Sequence, residues 1–311
     1  EPYFGYYRSS SEWVFRKHAY QLEAAGVDFI FLDFTNGAYY PNELQVLLDT
    51  WLELRREGTD TPDICVFSGG SYGAVMGALR GSMYSAEGFQ KYGELFYQYK
   101  GKPLTLAGCA GDTSEIGKWI NETFTVRKCW AWQAGNRNRE GYWDWLQESP
   151  QALGTDFEGK TEQISVSMGV HAHTSRGRSY LKGDNTYNPK GDFGFSLGTA
   201  KYGYFFAEQF DYALTQNVDV IMITGWNEWY AGVHNAPSAD QTCGQTPTPN
   251  YYMVDQMSPE YSRDGEPMRL RDGAGFGDNY YYQMVSYIRK FKGLDAAPAT
   301  INGGSLPTAD K

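Results

Sequence analysis

Val27-Asp28-Phe29-Ile30-Phe31-Leu32-Asp33-Phe34-Thr35-Asn36 decides between two layouts. Its body is an apolar, aromatic run of the kind found in a strand covered on both faces. Helix-type and strand-type segments alternate after it, which calls for parallel βαβ units. Such units build either an open doubly wound sheet or a closed barrel. A dinucleotide-binding sheet carries a glycine-rich phosphate loop after its first strand. This strand ends instead in Asp33-Phe34-Thr35-Asn36. Polar and aromatic residues recur at the C-terminal ends of nearly every later strand, where barrel active sites are built. The expected fold is therefore α/β, a (β/α)8 TIM barrel.

Working outward, Ser9-Ser10-Ser11-Glu12 reads as a capping box that opens a helix closed by Gly26. Pro41 suits the first position of the next helix. There Leu44, Leu47, Leu48, Trp51 and Leu52 form one apolar stripe. Further strands are read at 64–67, 104–107, 124–132, 163–169 and 218–224, with a short last one at 251–254. Helices are expected at 72–79, 86–99, 114–120, 197–216 and 279–292. Trp143-Asp144-Trp145 falls in an irregular stretch, and 230–250 reads as loop. A closed ring needs one strand more, so the first is expected upstream of Glu1, leaving a gap between 27–34 and 251–254. Residues 1–295 are read as a single barrel and 296–311 as a flexible tail. The chain opens on Glu1 with no signal peptide, as a processed form or a fragment does.

Composition narrows the function. A formal net charge of −10 argues against nucleic acid, which calls for a basic stripe. No stretch approaches the ~20 apolar residues of a membrane span. The chain holds 25 tyrosines and 9 tryptophans, which serve equally as a wet aromatic groove or as packing. Cys65, Cys109, Cys129 and Cys243 show no C-x-x-C spacing, so zinc and thioredoxin chemistry are not indicated. No cofactor is called for.

The chemistry concentrates in Val218-Asp219-Val220-Ile221-Met222-Ile223-Thr224-Gly225-Trp226-Asn227-Glu228-Trp229. A carboxylate between indoles, where a buried strand runs out, is poorly solvated and its pKa tends upward. Indole faces also suit the apolar face of a sugar ring. Glu228 is thus the expected catalytic group. Glycosidic hydrolysis normally uses two carboxyls, ~5 Å apart for retention and ~6.5–9.5 Å for inversion. Asp33 and Asp112 end strands and are the candidates for the second. Asp33 serves equally to cap its turn, and Asp112 to cap the following helix. Asp144, Asp255 and Glu260 are read as solvated loop residues. Trp226, Asn227, Trp229, Tyr230, Trp130 and Trp132 are candidate sugar contacts. His171 and His173 alternate toward one face but lack a third metal ligand. Hydroxyl binding fits them better, or an anionic substituent held with Arg176 or Arg178.

The Gly225-Trp226-Asn227-Glu228-Trp229 run resembles the Trp-Asn-Glu-Trp signature of glycoside hydrolase families 71 and 99. Pro2-Tyr3-Phe4-Gly5-Tyr6-Tyr7, Ala25-Gly26-Val27-Asp28, Leu32-Asp33-Phe34-Thr35-Asn36, Tyr261-Ser262-Arg263-Asp264, Glu266-Pro267-Met268 and Gly277-Asp278-Asn279-Tyr280-Tyr281 are similar to bacterial proteins described as family 71/99-like. Family 168 is a further relative by general pattern. The resemblance spans nearly the whole chain and implies a barrel glycosidase whose ring has a strand before the Pro2–Tyr7 loop. One departure stands out. Family 99 enzymes place a second carboxylate three residues after the first, where this chain has Ala231. The expected function is an extracellular or periplasmic glycoside hydrolase acting on an oligo- or polysaccharide. Two alternatives are a non-catalytic glycan-binding barrel and a polysaccharide-biosynthesis protein, although no phosphate-cradling loop supports the latter.

Overall fold

The computed structural model describes residues 1–130, 140–147, 149–169, 203–229, 264–270 and 277–294, with the backbone alone at 233–235, 251–253, 300–301 and 304–305. Strand β1 (Phe29–Asp33) pairs in parallel with β2 (Asp63–Gly69), β2 with β4 (Lys102–Ala107), β4 with β5 (Thr125–Trp130), and β5 with β6 (Tyr142–Asp144). The short β3 (Gln98–Tyr99) lies antiparallel on β4. A second sheet runs β7 (Gly154–Thr155), β8 (Thr161–Ser167), β9 (Val220–Thr224), with β8 and β9 parallel. The molecule is therefore α/β with parallel strands. A closed ring of eight is not among the described residues: β1 pairs only with β2 there, and β9 only with β8.

Helices α1 (Glu12–Ala25), α2 (Pro41–Arg56), α3 (Tyr72–Arg80), α4 (Ala86–Tyr92) and α5 (Glu115–Thr123) accompany the first sheet, and α6 (Tyr204–Leu214) and α7 (Asn279–Phe291) the second. Strand alternation explains how they pack. Ile64 and Val66 of β2 join the α1–α2–α3 cluster, whereas Cys65 and Phe67 face the other way. Ile164 and Val166 of β8 meet Phe206 and Phe210 of α6, while Val220 and Met222 of β9 join Cys65, Phe67, Leu104, Leu106, Cys129 and Trp143. The inner faces of both sheets thus share one core. Side chains join the sheets where the backbone ladder stops: Gln163 donates to the Asp144 carbonyl at 2.9 Å, and Trp143 Nε1 to Glu162 at 3.2 Å. Glu162 in turn takes Arg127 through both oxygens, at 2.7 and 2.8 Å, with both side chains buried.

Several expectations need correction. Helix α1 starts at Glu12 itself, with Ser11 as N-cap and no side-chain cap bond, so no capping box forms; Glu12 instead pairs with Arg16 one turn on. Gly26 does adopt the left-handed conformation, at φ 78°. The helix expected over 86–99 ends at Tyr92, because the aromatics after it go to sheet-type packing. Tyr97 stacks on Phe29 at 3.7 Å, and Tyr99 donates to Asp219. The stretch at 142–144 is a strand rather than irregular; three residues are too few to show a period. The segment at 251–254 is no barrel strand: β11 (Tyr251–Met253) forms an antiparallel hairpin with β10 (Val233–Asn235), inside what reads as loop. Within 296–311, β12 (Thr300–Ile301) and β13 (Gly304–Ser305) pair antiparallel.

The expected neighbour of β1 at the ring opening is therefore not β11. Residues 264–268 border the end of β9 instead. Gly265 N–H bonds the Gly225 carbonyl at 3.0 Å and Glu266 N–H that of Trp226 at 2.9 Å. Tyr3 N–H then bonds Pro267 at 2.8 Å, and Pro2 bridges Met268. No helix among the described residues is long and apolar enough to cross a membrane.

Candidate active site

Strand β9 stops because Gly225 takes φ 88°, a region costly for any residue with a Cβ. The chain turns there, and the four residues after it go different ways. Trp226 packs inward, edge-on to His18 at 5.6 Å and to Tyr281 at 6.3 Å. Its indole N–H is buried with no partner among the described residues. Trp226 is thus a joint between α1 and α7 rather than an open platform. Asn227 and Glu228 are exposed, and Trp229 is half-buried. Glu228 is therefore not the poorly solvated carboxylate between two indoles that the sequence implies, because one of the indoles turns into the core.

A second carboxylate lies beneath this turn. Glu266 is fully buried and holds residues from three distant parts of the chain. Its Oε1 lies 2.9 Å from His18 Nε2, which must carry the proton because a carboxylate only accepts. Its Oε2 accepts from Tyr7 OH at 2.8 Å and from the Trp229 indole N–H. Burial, then the Glu266 charge and its hydrogen bond, push the Tyr7 hydroxyl well above its ordinary range, with Asn227 opposing. Tyr7 therefore stays protonated and donating.

Above this network opens a cavity of about 570 Å³. Apolar side chains line it, Val14 and Phe15 of α1, Leu32 and Phe34 by β1, Leu44 and Leu47 of α2. Aromatic and polar ones complete the lining, with Tyr6, Tyr7, His18, Tyr39, Tyr40, Asn227 and Trp229. Tyr40 holds φ 45°, unusual for a residue with a bulky side chain. Asn227 and Trp229 line the cavity while Glu228, between them, does not.

The other strand-end carboxylates divide by how they are held. Asp33 is exposed, and its Oδ1 accepts from Thr35 N at 2.9 Å and Thr35 Oγ1 at 2.7 Å. Among the described residues its Oδ2 takes no hydrogen bond. Asp112 has both oxygens engaged: Oδ1 with Ser114 N at 2.8 Å, Oδ2 with Ser114 Oγ at 2.7 Å and Tyr72 OH at 2.9 Å. The Ser114 and Tyr72 bonds hold its carboxyl below the ordinary range. The N-cap of α5 is Ser114 rather than Asp112. Asp144 corrects the reading of a solvated loop residue, for it is fully buried at the end of β6. Burial raises the Cys129 thiol well above its usual range, with Asp144 and then Asp33 adding to it. Trp130 ends β5 with its ring about half exposed.

Tyr230, His171, His173, Trp132, Arg176, Arg178, Asp255 and Glu260 lie outside the described residues. Within them, no group of three or more His, Cys, Asp or Glu side chains is placed to hold a metal. The group that sequence reasoning missed is Glu266 with His18 and Tyr7. The resemblance of Glu266-Pro267-Met268 and Pro2–Tyr7 to one family marked Glu266 and Tyr7, and nothing marked His18, since 248 residues separate it from Glu266.

No family model and no curated protein matches the chain. Solved structures do. The structure of the GH99 endo-alpha-mannosidase from Bacteroides thetaiotaomicron is similar with a TM-score of 0.56 at 14% identity, over 95% of this chain and 84% of that one. The same enzyme in complex with bis-tris-propane gives 0.53 at 14% identity, over 94% and 88%. At that identity the likeness establishes a shared fold.

Proposed function

We propose that the protein is a glycoside hydrolase with a (β/α)8-type barrel, cleaving a glycosidic bond in an oligo- or polysaccharide. Glu228 serves as acid/base or nucleophile and Asp33 as its partner carboxylate. The observation that carries this reading is the exposed carboxylate of Glu228 at the C-terminal end of a parallel strand, flanked by two cavity-lining residues. Active sites of such folds gather at that end. The fold shared with an enzyme named as an endo-alpha-mannosidase supports the same class. Asp33 is preferred to Asp112 because it keeps an oxygen outside its own turn, whereas the Asp112 oxygens are both committed.

The test is turnover on a panel of α-mannan and of plant, algal and host glycans, followed by product analysis. Glu228→Gln and Asp33→Asn are each expected to lower turnover by at least about 100-fold with folding intact, and Asp112→Asn to leave it within a few fold. Unchanged turnover in Glu228→Gln removes the catalytic assignment. A second reading is a barrel that binds glycans without cleaving them, favoured by the turn-capping role of Asp33 and by Ala231. Glycan affinity in a wild-type protein that releases no product selects that reading.

A further inference from the structure

We infer that Glu266 is the positioning residue for Glu228, holding it from both sides through the Trp226 backbone and the Trp229 indole; this rests on the catalytic reading of Glu228. Three residues around Glu228 are tied to the segment 265–266. The carbonyls of Gly225 and Trp226 accept from Gly265 and Glu266 N–H. The Trp229 indole donates directly to Glu266 Oε2. Glu228 itself is exposed and lies between the tied Trp226 backbone and the tied Trp229 side chain. The anchor is well built for the task. It is fully buried, and His18 on α1 fills its other oxygen, which fixes the carboxylate plane. Gly265 sits close against the turn, since a Cβ there would meet Met168 Cε at 2.8 Å and Trp226 Cε3 at 3.3 Å and both would have to give. The backbone of the anchor is thereby pressed against the turn it holds.

Such an arrangement matters because an ångström of misplacement in a reacting group costs up to about 100-fold in rate. Glu266 touches no solvent and takes no proton from a substrate; it acts only through the residues it binds. Its loss is therefore expected to fall on kcat, with KM moving little.

The experiment uses the full chain labelled with 5-fluorotryptophan and δ-¹³C-glutamate, with the Trp229 and Glu228 signals identified by Trp229→Phe and Glu228→Gln. In Glu266→Gln both signals are expected to shift and broaden, while those of Trp130 and Trp143 on the first sheet stay in place. Tyr7→Phe, which removes the other donor on the Glu266 oxygen that holds Trp229, is expected to move the Glu228 and Trp229 signals in the same sense but by less. That variant also decides the matter if Glu266→Gln does not fold. On the glycan that the wild type turns over best, Glu266→Gln is expected to lower kcat about 10- to 100-fold and change KM less than about threefold. Unmoved Glu228 signals in both folded variants overturn the proposal, as does a loss confined to KM. If Glu228→Gln retains wild-type turnover, the hydrolase reading fails on its own, and the spectra still decide whether Glu266 holds this turn.

Discussion

At the scale of single residues, the buried carboxylates of Glu266 and Glu162 answer the same desolvation problem differently. Glu266 is met by the Tyr7 hydroxyl, the His18 ring and the Trp229 indole beside the cavity. Glu162 is met by a guanidinium in a two-pronged bond with the Trp143 indole alongside. An exposed ion pair contributes little, but removing one partner of a buried pair strands a charge. Glu162→Gln is therefore expected to destabilise the fold by about 3–5 kcal/mol in urea unfolding. Lys100→Ala, which breaks the half-exposed pair with Asp219, is expected to cost less than about 1 kcal/mol. Equal effects from the two variants would mean that the Arg127–Glu162 pair is not shielded from water. Residues of this kind mark the limit of the sequence. Glu228 was legible because strand, glycine, indoles and carboxylate stand together in one short run. Glu266, His18, Arg127 and Glu162 were not, since each depends on a partner far away in the chain and no local pattern records the pairing.

Elements were legible in proportion to their length. The long stripe of α2 and the apolar runs of β1, β2, β8 and β9 appear near their expected places because period and turn residues agree over many positions. Strand β6 was missed, and α4 was drawn too long, because three residues and a single turn of 3-10 helix carry too little pattern. The end of β9 is the element boundary on which the site depends. Gly225 holds φ 88° there, in a region that costs a residue with a Cβ about 1–2 kcal/mol. Gly225→Ala is expected to lower stability by about that amount and to cost more activity than stability, because the strain is released in the turn that carries Glu228. A loss of stability with full activity would show that the chain past β9 is held independently of its glycine.

Across the whole molecule, the question is whether two separately laddered sheets behave as one body. Their backbone ladders do not join among the described residues, yet the side chains say otherwise. Val220 and Met222 of β9 sit in the same core as Cys65, Leu104 and Cys129 of the first sheet. Val27 and Trp226 each pack against both outer clusters, that of α1–α3 and that of α6–α7. Trp226 is a broad ring at the seam, edge-on to His18 from one side and to Tyr281 from the other. Cooperativity follows shared burial rather than ladder continuity, so the described regions are expected to melt as a unit. Far-ultraviolet dichroism and tryptophan emission should trace one coincident transition. Trp226→Ala removes the shared ring and a large buried contact, a loss of about 3–5 kcal/mol in a core. It is expected to lower the midpoint and to separate the two traces, as the α6–α7 side loosens before the α1–α3 side. Two transitions in the wild type would contradict a shared core. A single sharp transition in Trp226→Ala would locate the coupling in the inner cluster of β2, β4, β5 and β9 instead.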